Sequence, residues 1–386
     1  MKIMHCCLAA FYIDNYGYQE NILPKYHKLD GHDVYIVAST ETYSENKTLC
    51  YVTESTYVNE YDIPVTRLPY VEWLPPKIAR KFRLYKGLKD QLLQFEPDII
   101  FLHDIQFIDV LTIVNYVKLR PNVKVYADGH TDFINSARSA LSKYFLHGVI
   151  YRWCAKKIEP YVETFFGVTP LRSDFFSDMY KIDKSKIELL PLGYDDSLLA
   201  TEDISVIRDS VRAMYDISTT DFVIVTGGKI DERKKIHLLI EVFNKLSLSD
   251  TKLLVFGEST PDMEPLINKA KRNENIIFAG WSKQEDIYRM FLSSDIAVFP
   301  GTHSVLWEQA VGLGVPCIFK RWSGMEHVDL GGNCIMLEES CPEQLYEAIV
   351  YVYNKREALN EMKRVSQIKG KEFCYSSIAR RSIGLE

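Results

Sequence analysis

The sequence predicts an α/β protein with two Rossmann-like domains, each built on a doubly wound parallel sheet. Short apolar runs alternate with helical patterns in the first half of the chain, and the same alternation restarts near residue 221. This alternation is typical of βαβ units. A chain of 386 residues also exceeds the usual size of one hydrophobic core, so two domains are expected.

In the first half, apolar runs predict buried strands and one early amphipathic pattern predicts a helix. The N-terminal run is interpreted as a strand rather than a signal peptide, because His5 interrupts it and Lys2 is its only early charge. Pro24 must lie near the start of the helix. The predicted strands span 1–11, 33–40, 98–103 and 123–129, and the helix spans 20–32.

In the second half, further apolar runs predict strands at 221–228, 251–258, 275–281, 295–301 and 315–321, with helices at 236–246 and 285–294. The polar, turn-rich stretch 191–205 is the predicted linker. We therefore expect domains at 1–196 and 197–365, with a last helix, 366–386, packing back on the first domain. Ligands of such sheets bind beyond the C-terminal strand ends, so the expected site is a cleft where the two domains face each other.

Composition and motifs exclude several function classes. The formal net charge of −6 argues against a nucleic-acid-binding protein. The eight cysteines show no C-x-x-C pair or zinc spacing, as expected of reduced thiols in a cytoplasmic protein. No apolar run is long enough to span a membrane. Neither D-x-D nor H-E-x-x-H occurs, so no metal site is predicted, and the missing dinucleotide fingerprint disfavours hydride transfer.

The segment VTGGKIDERKKIHLLIEVF (225–243) predicts a strand, a glycine turn, a basic loop and a helix. Gly228 lets the backbone turn tightly and approach a ligand. Lys229 and Lys234 lie five residues apart, where both could reach one anionic group. The segment fits neither the Walker A pattern nor G-x-G-x-x-G. Alternatively, residues 233–235 form a solvated charge run.

The segment FPGTHSVLWEQAVGLGVP (299–316) carries one carboxylate, Glu308, in an apolar stretch. It predicts a strand, a turn and a helix whose first N–H groups could bind phosphate. A charge buried alone is unfavourable, so Glu308 must be paired, solvated or used. It could cap the first turn, but a capping box from Ser304 would place the acid at Trp307. We therefore expect Glu308 to accept hydrogen bonds from ligand hydroxyls.

Two loops of the first half complete the candidate site. YGYQEN (16–21) follows the first strand and places Gly17 where the backbone could meet a ligand. DGHTDF (128–133) puts His130 at the C-terminal end of another strand. A single histidine is more often structural than catalytic, but this position at a strand end favours a function.

These segments resemble the GT-B glycosyltransferases of the large retaining family 4, also called glycosyl transferases group 1. The resemblance covers nearly the whole chain and is strongest in the second half. GGKIDERKKIHLLIEVF resembles the family's GR-x-x-x-x-KG-x-x-x-LI-x-AF segment, with Lys229 at the arginine and Lys234 at the lysine. VLWEQAVGLGVP resembles the end of the E-x7-E motif, with Glu308 at the second glutamate. Residues 166–195 and 278–301 also fit their family counterparts.

The resemblance implies metal-independent sugar transfer, with retention at the anomeric carbon, from a nucleotide-diphosphate sugar. We expect this donor to be a UDP-sugar. Glu308 would hold the ribose hydroxyls, and Lys229 and Lys234 would stabilise the leaving diphosphate. His130 would orient the sugar and stabilise its developing positive charge. The remaining donor-site residues implied are Gly17, Gly228, Trp281, His303, Ser304 and Val305, the last three through backbone N–H groups of the turn.

Two positions depart from the family pattern. Pro300 stands where the first glutamate of E-x7-E, which usually holds sugar hydroxyls, is expected, so the sugar stays open. Lys229 keeps the charge of the arginine but loses its bidentate fork. Two other functions remain compatible with the sequence: a nucleotide-sugar epimerase or hydrolase of the same fold, and a non-catalytic partner subunit of a glycosyltransferase.

Two basic and apolar stretches, 73–89 and 137–157, lie in the half that binds the acceptor in this family. They are interpreted as contacts with an anionic membrane or a lipid-diphosphate acceptor, or alternatively as amphipathic helices of an ordinary domain. By analogy, we expect a glycan or lipid-linked acceptor of bacterial surface polysaccharide synthesis, and a location in the cytoplasm, peripheral to the inner face of the membrane.

Overall fold

The computed structural model describes residues 1–44, 48–133, 136, 139–246, 248 and 250–385. The chain divides into two compact units, Met1–Pro191 with Tyr375–Glu386, and Leu192–Cys374. The sequence-based boundaries were 196/197 and 365/366, whereas the chain passes between the units at 191/192 and 374/375.

The first unit is built on a mainly parallel sheet. Its strands are β1 (Lys2–Cys7), β2 (Asp33–Ser39), β3 (Glu41–Tyr43), β4 (Leu49–Tyr51), β5 (Ser55–Val58), β6 (Pro64–Leu68), β7 (Ile99–His103), β8 (Lys124–Gly129), β9 (Val162–Gly167) and β10 (Ile187–Leu189). Within the described residues, eight of them form one sheet in the order β10-β9-β8-β7-β1-β2-β6-β5. β5 pairs antiparallel with β6, and β3 and β4 form a separate antiparallel pair.

Helices cover the sheet of the first unit. They are α1 (Gln19–Leu29), α2 (Pro76–Phe82), α3 (Leu88–Phe95), α4 (Val110–Lys118), a wide π-type helix (Leu141–Tyr151), α5 (Arg152–Ile158) and α6 (Pro170–Tyr180). The central strands β1 and β7 are almost entirely buried, as expected of parallel strands covered on both faces. Pro24 lies inside α1 rather than in its first turn, because the helix already begins at Gln19.

The second unit repeats this plan with a smaller sheet. Its strands are β11 (Phe222–Gly227), β12 (Thr251–Phe256), β13 (Ile276–Gly280), β14 (Ile296–Phe299), β15 (Cys317–Lys320) and β16 (Cys334–Leu337). In the described part of the chain they form a parallel sheet in the order β13-β12-β11-β14-β15-β16. Its helices are α7 (Ile204–Met214), α8 (Ile236–Lys245), α9 (Glu264–Ala270), α10 (Gln284–Ser293), α11 (Leu306–Gly312), α12 (Pro342–Asn354) and α13 (Arg356–Lys369).

The last helix, α14 (Tyr375–Ser382), belongs to the first unit. Its apolar side chains Tyr375, Ile378 and Ala379 join a buried cluster with Ile22 of α1 and Ile3 of β1. The predicted fold class is confirmed, because two parallel α/β sheets are present. No helix among the residues described is both long and apolar enough to cross a membrane.

Candidate functional site

In the second unit, the loops that follow β11 and β14 pack against each other. The two strands are neighbours in the sheet, so their C-terminal ends lie side by side. Gly228 adopts a φ of +108°, a conformation that glycine accepts without strain. A Cβ on Gly301 would lie 2.3 Å from the carbonyl oxygen of Arg233. The Thr302 N–H donates to that same carbonyl at 3.0 Å, which locks the two loops together.

Lys234 ties these loops together through its side chain. Its Nζ donates to the carbonyl oxygens of Thr302 and His303, at 2.8 and 2.9 Å. Burial lowers the pKa of Lys234 to about 8, although the charge of Asp231 opposes the shift. An ammonium has three donors, so one remains for a ligand. Lys229 is exposed on the same loop.

Glu308 lies in the first turn of α11 and its side chain is fully buried. Its Oε1 accepts hydrogen bonds from Nε2 of His303 at 2.7 Å and Nε2 of His327 at 2.9 Å. Its Oε2 is buried and has no hydrogen-bond partner among the described residues. Burial raises the pKa of Glu308, but the two imidazoles lower it further, to about 2. The carboxylate is therefore ionised, paired through one oxygen and vacant at the other.

The two histidines that bond Glu308 have defined tautomers. Each Nε2 faces a carboxylate oxygen and so carries a proton. The ring of His303 packs edge-on against Trp307, with centroids 5.2 Å apart. The Nδ1 of His327 is buried without a partner in the part of the chain described. Sequence reasoning missed His327, which lies nineteen residues from Glu308 and in no motif.

The three ligand atoms of His303, Glu308 and His327 lie within 4.8 Å of one another, a spacing that a metal ion could use. A metal would displace both Nε2 protons and leave an N–H on the buried Nδ1 of His327. Ligating histidines normally donate that N–H to an acceptor, and the described residues provide none. The distances of 2.7 and 2.9 Å to Oε1 of Glu308 are those of hydrogen bonds.

The other residues predicted for the second unit differ in their placement. Val305 is the N-cap of α11 and makes no side-chain capping bond, while the carbonyl of Ser304 accepts from the N–H of Trp307 at 2.9 Å. Because α11 has only seven residues, the partial positive charge at its N-terminus is that of a short helix. Trp281 is 66% exposed, and none of the described hydrogen bonds or ring contacts joins it to Glu308.

In the first unit, β7 and β8 bring a second polar group together. His103 and Asp128 are partners in the register of these strands, and Nδ1 of His103 lies 2.9 Å from Oδ2 of Asp128. His130 follows β8, with its Nε2 3.5 Å from Asp128 Oδ2 and 3.9 Å from Glu20 Oε1. Burial lowers the pKa of His130, but the charges of Asp128 and Glu20 outweigh it and raise the pKa to about 9.

The start of α1 supplies two residues that sequence reasoning passed over. Gln19 donates its amide to Oδ2 of Asp128 at 3.2 Å, and Glu20 lies near His130. Both follow the predicted Gly17, which lies in the exposed loop before α1. Asp104, with a left-handed φ of 62°, accepts from the backbone N–H of His130 at 3.2 Å. His103, Asp128 and His130 also offer three atoms within 4.8 Å, and the His103–Asp128 distance is again that of a hydrogen bond.

The two basic stretches of the first unit are adjacent, since the Tyr151 hydroxyl donates to the carbonyl of Lys81 at 3.1 Å. Two of their basic side chains make contacts within the first unit. Arg83 donates to the carbonyl of Gln106 at 3.0 Å, and the guanidinium of Arg80 lies 3.7 Å from the centre of a tyrosine ring. Residues 137 and 138 lie outside the described residues.

The chain resembles known proteins both in sequence and in fold. Residues 208–368 match the family model described as glycosyl transferases group 1. All of the matched residues lie in the second unit. The family predicted from the sequence is thus the one that the second unit resembles. The chain is 20% identical over 255 residues to mannosylfructose-phosphate synthase of Agrobacterium fabrum, covering 61% of this chain and 54% of that protein. It thus spans about half the length of this curated relative.

Solved structures resemble the chain over almost its whole length. A glycosyltransferase from Rickettsia africae matches with a TM-score of 0.68 at 15% identity, covering 98% of this chain and 96% of that one. HepE of Anabaena, solved with UDP, matches with a TM-score of 0.66 at 12% identity, covering 99% and 98%. At such low identity these likenesses show the fold, which is that of GT-B glycosyltransferases.

Proposed function

We propose that this chain transfers a sugar, with retention and without a metal, from a nucleotide-diphosphate sugar to a glycan or lipid-linked acceptor. The observation that carries the proposal is the vacant Oε2 of Glu308, an ionised and buried carboxylate oxygen without a partner among the described residues. A buried acceptor of this kind costs stability unless a donor reaches it. The ribose hydroxyls of a nucleotide are donors of the required type.

The hydrogen bonds from His303 and His327 to Glu308 fix the position in which its second oxygen would meet the ribose hydroxyls. His303 and His327 hold Oε1, so the carboxylate cannot rotate away from its position. Hydrogen bonds to charged groups contribute about 1.5–3 kcal/mol each. A ribose that donates to Oε2 would replace the missing partner without the loss of any existing bond.

Lys234 and Lys229 are proposed to bind the diphosphate. Lys234 is already oriented by two carbonyls, and its remaining N–H is available to a phosphate oxygen. Negative charge develops on the leaving diphosphate in the transition state, and donors fixed in advance stabilise it without reorganisation. Bound phosphate would also favour the charged form of Lys234, whose pKa is lowered by burial.

His130 is proposed to act as a hydrogen-bond donor to the transferred sugar. With a pKa raised to about 9, its side chain is an imidazolium near neutral pH. A cation cannot stabilise the positive charge that develops on the sugar. The proposed role of His130 is therefore limited to orienting the sugar through a hydrogen bond. Retention is proposed to follow from attack on the same face that the diphosphate leaves, with the leaving phosphate taking the acceptor's proton.

UDP is the nucleotide that we test first, because HepE of Anabaena was solved with UDP and with UDP-glucose. Calorimetry would compare UDP, GDP and ADP on the wild type, on Glu308→Gln, and on Glu343→Gln, an exposed glutamate of α12. We expect one nucleotide to bind the wild type and Glu343→Gln equally, and to bind Glu308→Gln about 10- to 100-fold more weakly.

Equal binding to wild type and Glu308→Gln would contradict the assigned ribose contact. Turnover of a nucleotide-sugar without any acceptor would instead favour an epimerase or hydrolase. If none of the nucleotides binds the wild type, the partner-subunit alternative is favoured.

The acceptor is proposed to be membrane-associated, and the first unit to contact an anionic lipid surface. Phe145, Val149 and Trp153 recur every four residues and are all exposed, which forms an apolar stripe that Lys157 flanks. Such a stripe with nearby cations is typical of interfacial helices. Flotation with anionic and neutral vesicles would test it, using Phe145→Ser with Val149→Ser. The control is Leu119→Ser, an even more exposed apolar residue of the first unit that lies outside the stripe.

We expect binding to anionic vesicles by the wild type and by Leu119→Ser, and its loss in the double variant. Binding that is equal in all three proteins, or absent from the wild type, would contradict the membrane proposal and leave sugar transfer untouched.

A further inference from the structure

Three buried histidines form a continuous hydrogen-bonded chain through the first unit. Nδ1 of His27 lies 3.0 Å from Nε2 of His5, and Nδ1 of His5 lies 3.0 Å from Nε2 of His103. At one end, Nε2 of His27 lies 2.9 Å from the carbonyl oxygen of Ala379 in α14. At the other end, Nδ1 of His103 lies 2.9 Å from Oδ2 of Asp128. All three imidazoles are fully buried, and each of their ring nitrogens has a partner in this series.

The α14 end of the chain fixes the direction of its protons. A carbonyl oxygen only accepts, so Nε2 of His27 donates to Ala379 and its Nδ1 carries a lone pair. His5 must then donate from Nε2 to His27, and its Nδ1 accepts from Nε2 of His103. Each tautomer follows from the one before it.

Ser382 offers an alternative source for one proton. Its hydroxyl lies 3.1 Å from Nε2 of His27 and could donate there, which would reverse every tautomer in the chain. The lone pair of Nε2 would then face the Ala379 oxygen at 2.9 Å, two acceptors in contact. The hydroxyl would also lose its shorter bond, 2.7 Å, to the same Ala379 oxygen. Geometry therefore favours Ser382 as a second donor to Ala379.

Counting protons shows that neutral rings cannot complete this network. Among the described residues, four hydrogen bonds link Ala379, the three imidazoles and Asp128 in series. Three neutral imidazoles supply three ring protons. Since both ends of the series are acceptors, one further proton is needed for the fourth bond.

We propose that this chain of three histidines holds one excess proton, so that His103 is an imidazolium paired with the Asp128 carboxylate. The histidine chain thereby positions Asp128, and through Asp128 it positions His130. Asp128 keeps its negative charge because Gln19 and the backbone N–H of Asp104 also donate to it. The excess proton therefore stays on the ring next to Asp128.

The pKa shifts of the two other histidines and of Asp128 agree with this assignment. Burial lowers the pKa of His27 to about 4 and that of His5 below its usual range, so both rings stay neutral. Burial raises the pKa of Asp128, but His103 and His130 lower it further, to well below its usual range. The ionisable groups that face His103 and Asp128 from the neighbouring elements are His5, Cys7, Glu20, Asp104 and His130.

The charge of His103 also tunes His130, whose part in sugar transfer rests on the proposed function. Asp128 shares Oδ2 between the two imidazoles. With His103 charged, Asp128 is partly neutralised and raises the pKa of His130 less than an unpaired carboxylate would. Loss of the charge on His103 should therefore shift the pKa of His130 upward from about 9.

Nitrogen NMR of histidine-labelled wild-type protein tests the proton count directly, because it separates the two neutral tautomers from the imidazolium. Near pH 8, where a free imidazole is neutral, we expect His103 to be doubly protonated and His5 and His27 to carry protons on Nε2. A neutral His103, or protons on Nδ1 of His5 and His27, would overturn the proposal. Neither result depends on sugar transfer, so failure of the proposed function would leave this test intact.

Three variants sharpen the test. Ser382→Ala should leave the imidazolium signal of His103 unchanged, whereas a chain supplied by Ser382 would lose its protonation pattern. His5→Phe removes the acceptor for Nε2 of His103, so His103 should become neutral and the pKa of His130 should rise. His147→Phe, which loses one buried histidine bond to Tyr180 outside the chain, should change neither signal. An unchanged His103 in His5→Phe would overturn the proposal, and if that variant does not fold, the wild type and Ser382→Ala decide.

Discussion

Each unit buries one carboxylate beside two histidines, but of these two carboxylates only that of Glu308 has an oxygen without a partner among the described residues. In the first unit, Oδ2 of Asp128 bonds His103 and Gln19, and Oδ1 accepts from the Asp104 N–H. In the second unit, Oε1 of Glu308 accepts both imidazoles, and Oε2 has no partner among the described residues.

The difference indicates two uses for a buried charge. Asp128 is saturated, so it acts on its neighbour by holding the charge of His130 in place. Glu308 is half-satisfied, and in the proposed function a ligand completes its bonds. A saturated carboxylate is expected to position a side chain, and a half-satisfied one is expected to bind a substrate.

The largest effect is expected from Lys234→Ala, which should lower the transfer rate by about 10²–10³-fold. It removes the ammonium that is proposed to bind the phosphate, and it also frees the carbonyls of Thr302 and His303. Lys245→Ala, at the exposed end of α8, is the control and should retain full activity. Steady-state kinetics with the bound nucleotide-sugar would check both variants, and a Lys234→Ala enzyme with wild-type rates would refute the phosphate role.

A smaller loss, about tenfold to hundredfold, is expected from Asp128→Asn. Without the Asp128 carboxylate, only the charges of Glu20 and Asp104 oppose burial, so the pKa of His130 should fall from about 9. A larger fraction of His130 would then be neutral near pH 8, and fewer molecules would hold the charged donor. Titration of the His130 ring by NMR measures the shift, and Asp178→Asn, exposed on α6, should not move it. An unshifted His130 would show that Asp128 does not control its charge.

The pH dependence should separate the two units. The pKa of Lys234 is about 8, so kcat/KM is expected to fall about tenfold as pH rises one unit above it. His130 has a raised pKa, so its contribution to stability is complete below its usual value of 6.5 and is lost as pH rises through about 9. Activity should therefore decline before the first unit loses stability, as kinetics and thermal unfolding measured over the same pH range would show. If activity and stability declined over the same pH range, separate control by Lys234 and His130 would be contradicted.

The smallest effect is expected from Lys229→Ala, a severalfold loss in donor affinity. Lys229 is exposed, and exposed charges contribute at most about 1 kcal/mol and are screened by salt. The loss should shrink when the salt concentration is raised to about 0.5 M, while that of the half-buried Lys234 persists. Calorimetry at two salt concentrations checks this difference, and an equal salt response in both variants would place the two lysines in the same environment.

Local patterns in the sequence were sufficient for the elements and for several residues of the site. The apolar runs predicted β1, β2, β7 and β8, and β11 to β15, because buried parallel strands are nearly continuous in apolar residues. The turn after β14 pointed to Glu308 and His303, which lie within five residues of each other. β3 to β6, β9, β10 and β16 were not predicted, because most of these strands are too short or too exposed to differ from loops.

The sequence by itself determined where strands end, and therefore that Lys234, Glu308 and His130 follow the C-terminal ends of strands, the region where ligands of such sheets are expected. Only the tertiary structure decided which distant groups meet them. His327 reaches Glu308, and His5, His27 and His103 align between α14 and Asp128. Strand order and register set these contacts between residues up to several hundred positions apart, and no local period in the sequence encodes them.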